Sequence, residues 1–259
     1  MSLLVIGCGK MGGALVSRWA GNTQISITVA DPVTEVPPSG VALVRNPSEL
    51  EGMLFDNLVI AVKPQLINEV VSDYLPFVSD VGCVFSIAAG FSISSLEKIV
   101  GNRSIIRMMP NLPAEIGAGV TGYYANDRAS VNDFAFAARL TDAVGISLQV
   151  THEEDLDKIT AVTGSGTGFA LEIIRCWMQA AESIGLSPAV TRKLVLATIG
   201  GAVELAEKKP ESIEALRNSV TSPKGTTQAG LAMLREDDSM EKLLKTTIDA
   251  TLARAIELR

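Results

Sequence analysis

The sequence predicts a mixed α/β fold, in which an N-terminal doubly wound sheet precedes an all-helical domain. Short apolar, β-branched runs alternate with helically spaced segments in the first half, as in a parallel sheet with helices on both faces. Near His152 the strand signals stop and long helical patterns follow. The chain has 259 residues and is 47% hydrophobic, so it can bury a sizeable core. We expect domains at 1–152 and 153–259.

Seven short apolar runs in the first half predict strands. They are Leu3–Ile6, Ile25–Ala30, Leu58–Val62, Val81–Ser86, Ile105–Met109, Val120–Tyr124 and Ile146–Val150. Helical spacing predicts helices at Met11–Ala20, Leu66–Leu75, Ser94–Val100 and Val131–Ala143. The last two strands flank a helix, so we expect them to extend the sheet.

The second half predicts only helices. Thr151 and Glu154 have the spacing of a capping box, which predicts a helix start with His152 on its surface. Ser187 and Pro188 predict the cap and first residue of a helix that runs through Glu207. Shorter helices are expected near 212–216 and 226–235, and a last one at 240–258. Several of these helices are apolar on more than one side, which favours a subunit interface over a compact monomeric bundle.

Composition narrows the class of protein. The net charge of −7 argues against nucleic acid and anionic membranes as partners. The three cysteines lie far apart and indicate reduced thiols in a cytoplasmic protein. The cysteines, the histidine and the carboxylates do not have the spacing of a metal site. The apolar N-terminus is too short for a signal peptide and has no basic residues before it.

A glycine-rich segment follows the first predicted strand and opens the first predicted helix. It consists of Gly7, Cys8, Gly9, Lys10, Met11 and Gly12. In that context the spacing is a dinucleotide fingerprint, because the glycines permit a tight turn, close backbone approach and close helix packing. The helix N-terminus offers free N–H groups to a pyrophosphate. The alternative is a glycine-rich turn without a ligand.

Asp31 ends the second predicted strand, about twenty residues beyond the glycines. A carboxylate there accepts hydrogen bonds from the adenosine ribose and repels a 2′-phosphate, and no arginine follows immediately. The position favours NADH over NADPH, unless Asp31 and Pro32 form only a turn.

Three further turns lie at successive strand ends, where ligands bind in open parallel sheets. They are Ala61–Gln65, Ser86–Gly90 and Met109–Pro113, and one shared cleft explains all three. In the helical half, Gly164–Gly168 predicts either a close helix crossing or a ligand against the backbone. The hydroxyl-rich loop Val220–Thr227 predicts a site for a small carboxylate or, alternatively, a plain helix cap. No serine elbow, Cys/His pair or acid pair is present, which fits a reaction whose hard step is carried by a nicotinamide.

These motifs together resemble the pyrroline-5-carboxylate reductase family. The matching segments are Gly7–Gly12, Ala61–Gln65, Ser86–Gly90, Met109–Pro113, Thr160–Gly166 and Val220–Leu231, in the family's order along nearly the whole chain. The resemblance implies a Rossmann domain followed by a helical dimerisation domain, with dimers that often form decamers. It implies reduction of 1-pyrroline-5-carboxylate to L-proline with NADH or NADPH, the last step of proline biosynthesis.

The resemblance also implies roles for particular residues. Ser222, Gly225 and Thr226 would bind the substrate carboxylate, and Thr227 would orient or protonate the ring nitrogen as the catalytic residue. The implied cofactor contacts beyond the glycine segment and Asp31 are Asn46, Ala61, Val62, Lys63, Pro64, Ile87, Ala88 and Ala89.

Five positions near the implied substrate pocket depart from the family pattern. They are Leu112, Thr167, Gly168, Ser219 and Lys224. Lys224 could add a cation near the carboxylate or point into solvent. The departures leave open a related reductase for another cyclic imine or a 3-hydroxyacid, and a non-catalytic dinucleotide-binding homologue. The retained Thr226 and Thr227 argue against loss of catalysis.

Overall fold

The computed structural model describes residues 1–22 and 24–258, which form two compact units. The first unit contains Met1–Thr167 together with the C-terminal residues from Thr251 onwards, and the second contains Gly168–Ala250.

The first unit is built on an eight-stranded sheet in the order β3-β2-β1-β4-β5-β6-β7-β8. The strands are β1 Ser2–Ile6, β2 Ser26–Ala30, β3 Ala42–Val44, β4 Asn57–Ile60, β5 Val84–Ser86, β6 Ile105–Met109, β7 Gly119–Ala125 and β8 Gly145–Gln149. The seven predicted strands are all present, and the last two extend the sheet as expected. The short strand β3 was not predicted from the sequence.

One pair of neighbouring strands departs from the predicted parallel arrangement. β6 and β7 are antiparallel, whereas the other neighbours are parallel. Between them the chain forms only a short 3₁₀ helix at Leu112–Ile116. A parallel crossover needs a longer connection, usually an α-helix, so the chain turns back beside β6.

Helices cover both faces of the sheet. They are α1 Lys10–Asn22, α2 Ile67–Tyr74, α3 Ile93–Val100 and α4 Val131–Asp142. Because side chains alternate along β1, Leu3 packs in one core cluster with Trp19 of α1 and Leu140 of α4. Leu4 packs in the other cluster with Val71 of α2 and Leu96 of α3. The predicted doubly wound arrangement is therefore confirmed.

The helical half starts differently from the prediction. Its helices are α5 Asp155–Ile159, α6 Gly166–Ser183, α7 Pro188–Lys208, α8 Ile213–Ser219, α9 Thr226–Leu234 and α10 Ser239–Glu257. The predicted capping box at Thr151 is wrong, because α5 begins at Asp155 and has no side-chain cap. Glu153 instead accepts the backbone N–H of Ile93 at 2.7 Å and pairs with Arg107 at 2.5 Å, which holds the preceding turn against the sheet.

The predicted cap of α7 is correct in position only. Ser187 is extended and occupies the N-cap, and Pro188 begins the helix, but the Ser187 side chain makes no capping hydrogen bond.

The second unit leaves much of its apolar surface exposed. Among the described residues 168–250, only Thr191 and Val195 are buried. Trp177 is 47% exposed and Val203 is 54% exposed. Helices of this kind need a further apolar surface to cover them. None of the described helices is long and apolar enough to cross a lipid bilayer.

Candidate active site

The carboxyl ends of four neighbouring strands form one edge of the first unit. Backbone hydrogen bonds join Gly7 to Ala30 at 2.9 Å, Ala61 to Ile6 at 2.8 Å and Ile87 to Ile60 at 3.0 Å. The turns after β1, β2, β4 and β5 are therefore adjacent. The structure thus brings together the glycine segment, Asp31 and the two predicted loops, at the edge where parallel sheets bind ligands.

The three glycines of the fingerprint have different surroundings. Gly7 has φ +96°, and a Cβ there would lie 2.9 Å from the Ala61 carbonyl. A Cβ on Gly12 would lie 2.7 Å from the Gly7 oxygen. By contrast, a Cβ on Gly9 would meet nothing within 4 Å. Gly7 and Gly12 are therefore required by the fold, whereas Gly9 leaves open space beside the N-terminus of α1, the kind of position that binds phosphate groups in other proteins.

The other fingerprint side chains divide between core and solvent. Cys8 and Met11 are partly buried against the core, and Lys10 is exposed at the start of α1. Burial, with a smaller effect from the Asp31 carboxylate, raises the pKa of the Cys8 thiol. The thiol is therefore neutral at physiological pH, and its packing fixes the turn.

Asp31 is tied to the glycine segment through its side chain. One carboxylate oxygen accepts the Cys8 N–H at 2.7 Å, and the other accepts the N–H groups of Val33 and Thr34 at 2.8 and 2.9 Å. Partial burial raises the pKa of Asp31, but these hydrogen bonds outweigh it and lower the pKa below its usual value. Asp31 is therefore ionised at neutral pH and holds the ends of β1 and β2 together.

Asn46 caps a short helix at the end of β3. Its side-chain oxygen accepts the Ser48 N–H at 3.1 Å, and its NH₂ group donates to Glu49 at 2.7 Å. These bonds stabilise the 3₁₀ helix Pro47–Leu50. The side chain is exposed on the same sheet edge as Asp31, whose N–H bonds to the Val44 carbonyl at 3.0 Å.

The loops after β4 and β5 present mainly backbone and small side chains. Lys63 is exposed and occupies the N-cap of a 3₁₀ helix that Pro64 opens, while Ala61 and Val62 are partly buried.

Ala88 and Ala89 lie in the loop after β5. Ala88 is buried and donates its N–H to the Ser86 hydroxyl at 3.3 Å, whereas Ala89 is exposed. The loop ends at Gly90, whose φ is +72° and where a Cβ would overlap the Leu258 carbonyl. The last residues of the chain therefore pack directly on this loop.

Asn111, which the sequence did not single out as a site residue, joins two predicted motifs. It is 7% exposed; its side-chain oxygen accepts the Val120 N–H at 2.8 Å, and its NH₂ group donates to the Thr163 carbonyl at 3.1 Å. Thr163 lies in a π-helical turn, Thr160–Gly164, of a kind common at functional sites. Asn111 therefore fixes the end of β6 to the turn before the Gly-Ser-Gly segment.

The glycines of that segment show no close helix crossing within the described chain. A Cβ on Gly166 or Gly168 would meet nothing within 4 Å. The close helix crossing and the ligand against the backbone therefore both stay predictions.

In the second unit, the hydroxyl-rich loop leads into α9. Gly225 is the N-cap and provides no side-chain cap, so the N–H groups of the first turn remain available. Ser222, Thr226 and Thr227 are all exposed around this helix start. Lys224 is also exposed and has φ +58°, and its N–H donates to Gln228 at 2.5 Å. The loop therefore presents three hydroxyls and a helix N-terminus, which suit a small carboxylate.

A glycine turn at a helix N-terminus, with an ionised carboxylate at the end of the next strand, is the arrangement of a dinucleotide-binding protein of the Rossmann class. The family model for pyrroline-5-carboxylate reductase dimerisation matches residues 153–258. The pyrroline-5-carboxylate reductase of Pseudomonas aeruginosa is 33% identical, with 98% of this chain and 95% of that protein covered. The Synechocystis reductase is 36% identical over 69% of this chain and 66% of that protein.

Solved structures agree along the whole chain. A Plasmodium falciparum pyrroline carboxylate reductase with NADP bound superposes with a TM-score of 0.89 and 27% identity, covering 100% of this chain and 98% of that one. The Coxiella burnetii pyrroline-5-carboxylate reductase superposes with a TM-score of 0.88 and 30% identity, covering 99% of this chain and 97% of that one. The chain belongs to the pyrroline-5-carboxylate reductase family.

Family membership confirms the predicted Rossmann domain and helical dimerisation domain. It also establishes oligomerisation, a small-molecule substrate and the use of NAD(P)H. The domain division at 152 and 153 stays a prediction, because the compact units divide at Thr167 and the family match begins at 153.

Proposed function

We propose that the chain reduces 1-pyrroline-5-carboxylate to L-proline, with NAD(P)H as the reductant. The observation that carries the proposal is the 33% identity to a reductase of that name along 98% of the chain. The open space beside Gly9 and the exposed hydroxyl loop support the two kinds of site that this reaction needs.

The first unit would hold the cofactor. The N–H groups at the start of α1 would bind the pyrophosphate, Asp31 the ribose and Asn46 the adenosine. The remaining contacts would come from Ala61–Pro64 and Ile87–Ala89. When bound, the nicotinamide supplies a hydride to C5 of the ring C=N bond. The fit rests on the space beside Gly9, which a side chain at that position would fill.

The second unit would hold the substrate carboxylate. Ser222, Gly225 and Thr226 would donate hydrogen bonds to it, and the N-terminus of α9 favours its negative charge. The Thr227 hydroxyl would face the ring nitrogen and orient it or supply a proton. Because a protonated imine is already electrophilic, the residues of the chain contribute mainly by positioning.

Three finer properties belong to the same proposal. Asp31 would make NADH the preferred cofactor, since its ionised carboxylate repels a 2′-phosphate. The exposed apolar helices support a homodimer, which would assemble further into a decamer. The reduced thiols and the acidic composition favour the cytoplasm.

The test is an absorbance assay of nicotinamide oxidation with 1-pyrroline-5-carboxylate, run separately with NADH and NADPH. Pyrroline-2-carboxylate and a 3-hydroxyacid, the latter assayed in the oxidative direction, serve as comparison substrates. We expect the highest kcat/KM with 1-pyrroline-5-carboxylate. A higher value with either comparison substrate would show that the departures at Leu112, Thr167, Gly168, Ser219 and Lys224 have changed the substrate.

The cofactor preference has its own test in Asp31→Ala. Removing the carboxylate should raise kcat/KM for NADPH relative to NADH by about tenfold, because one charge-dependent contact is lost. The pKa of Asp31 is lower in the folded protein than in the unfolded chain. The hydrogen bonds of its carboxylate therefore stabilise the fold fully above the unfolded pKa, and this stabilisation is lost as the pH falls through the folded pKa. A wild-type protein that already prefers NADPH would contradict the ribose argument.

A further inference from the structure

Arg45 lies beside the turn that carries Asp31. The pairing of β2 with β3 places Ala30 opposite Val44, and the Asp31 N–H donates to the Val44 carbonyl at 3.0 Å. The first residue after each strand is therefore adjacent to the other. The sequence shows no arginine immediately after Asp31, but strand pairing brings one from fourteen positions further along the chain.

Among the residues that the structure describes, the hydrogen bonds of the Arg45 guanidinium all go to carbonyl oxygens. Nη1 lies 3.4 Å from the Asp31 carbonyl and also donates to the Thr34 carbonyl, and Nη2 lies 3.5 Å from the Glu35 carbonyl. These contacts hold the exposed side chain along the turn that follows β2.

The positive charge of Arg45 has no neutralising partner among residues 1–22 and 24–258, where no carboxylate forms a salt bridge with it. Glu49 is nearby, but it accepts the backbone N–H of Arg45 at 3.2 Å and the amide of Asn46. The carboxylate of Asp31 takes its hydrogen bonds from three backbone N–H groups. An exposed guanidinium in this setting is available to an anionic ligand.

We infer that Arg45 binds the 2′-phosphate of NADPH and thereby lets the chain use NADPH despite Asp31. The inference rests on the proposed function for one element, the placement of the adenosine ribose at Asp31. A 2′-phosphate on that ribose would meet the Asp31 carboxylate, which repels it, and the Arg45 guanidinium, which attracts it. Asp31 sets the preference for NADH, and Arg45 keeps that preference small.

The test uses adenosine fragments, so it needs no turnover of the imine. Binding of adenosine 2′,5′-bisphosphate and of 5′-AMP is measured by titration calorimetry on the wild type and Arg45→Gln. We expect Arg45→Gln to weaken the bisphosphate by about tenfold or more, the scale of a hydrogen bond to a charged group, and to leave 5′-AMP unchanged. Failure of the imine assay would not affect this measurement.

Two further variants serve as controls, one for the charge of Arg45 and one for the loss of an arginine elsewhere in the same unit. Arg45→Lys keeps the charge and should retain most of the bisphosphate affinity. Arg128→Gln removes another partly exposed arginine of the same unit, which is paired with Glu97, and should leave both affinities unchanged. Equal weakening of both fragments by Arg45→Gln would mean that Arg45 only holds the turn. An unchanged bisphosphate affinity would also overturn the inference.

Discussion

The cofactor cleft and the hydroxyl loop are built in opposite ways. Around the cleft, Gly7, Gly12 and Asp31 are fixed by close backbone contacts and hydrogen bonds within the first unit. The hydroxyl loop, by contrast, exposes Ser222 before α9 and Thr227 in its first turn, in a helical unit that buries almost none of its own residues. The comparison teaches that contacts within one chain shape the proposed dinucleotide site, whereas the helical unit exposes an apolar surface that a further subunit would cover. This agrees with the match to a dimerisation family.

The largest effect on the cofactor cleft is expected from a substitution at Gly12. In Gly12→Ala the added methyl would lie 2.7 Å from the Gly7 oxygen, so the turn must shift. We expect cofactor affinity to fall by about a hundredfold, the effect of misplacing a binding group by roughly 1 Å. Fluorescence titration with NADH measures it. Gly21→Ala, in the same helix with open space around it, is the matched control and should bind normally.

Thr227→Ala tests the hydroxyl loop in the same way. Turnover should fall by about ten- to a hundredfold, the scale of a positioned acid or orienting group. Cofactor affinity should stay normal, because Thr227 belongs to the second unit, whereas the proposed dinucleotide contacts lie in the first. Steady-state kinetics and the same titration give both values. Thr227→Ser should restore much of the turnover, and an unchanged rate in Thr227→Ala would remove this residue from the mechanism.

Asn111→Leu sharpens the account of the first unit. It leaves the Val120 N–H and the Thr163 carbonyl without their side-chain partner, at a cost of about 1–3 kcal/mol for each group that stays buried and unpaired. Urea unfolding should show the loss. Asn68→Ala, an exposed position on α2, should change the free energy of unfolding by less than about 0.5 kcal/mol. If the two variants were equally stable, Asn111 would not tie β6 to the π-helical turn.

Local signals predicted most of the fold and the positions of the motifs that form the candidate site. The glycine segment, the apolar strands and the Pro188 helix start each depend on neighbouring residues, and the structure has them where they were expected. β3 was missed because three residues carry too little alternation. The capping box at Thr151 was wrong because α5 begins later, with Glu154 at its N-cap, after a turn in which Glu153 is held by tertiary contacts.

The missed residues share one cause, which is separation along the chain. Asn111 and Thr163 are 52 positions apart, and Arg45 reaches a turn 14 positions before it. Such contacts depend on strand order and register, which the sequence pattern alone does not define. The antiparallel β7 is a similar case, since its direction follows from the length of one connection.

The most direct measurement of the central claim is the stoichiometry of the reaction. Purified protein is given 1-pyrroline-5-carboxylate and a limiting amount of NADH, and L-proline is quantified by chiral chromatography. The account predicts one L-proline for each NADH oxidised. Thr227→Ala should form L-proline only at its reduced rate. Oxidation of NADH without formation of L-proline would contradict it.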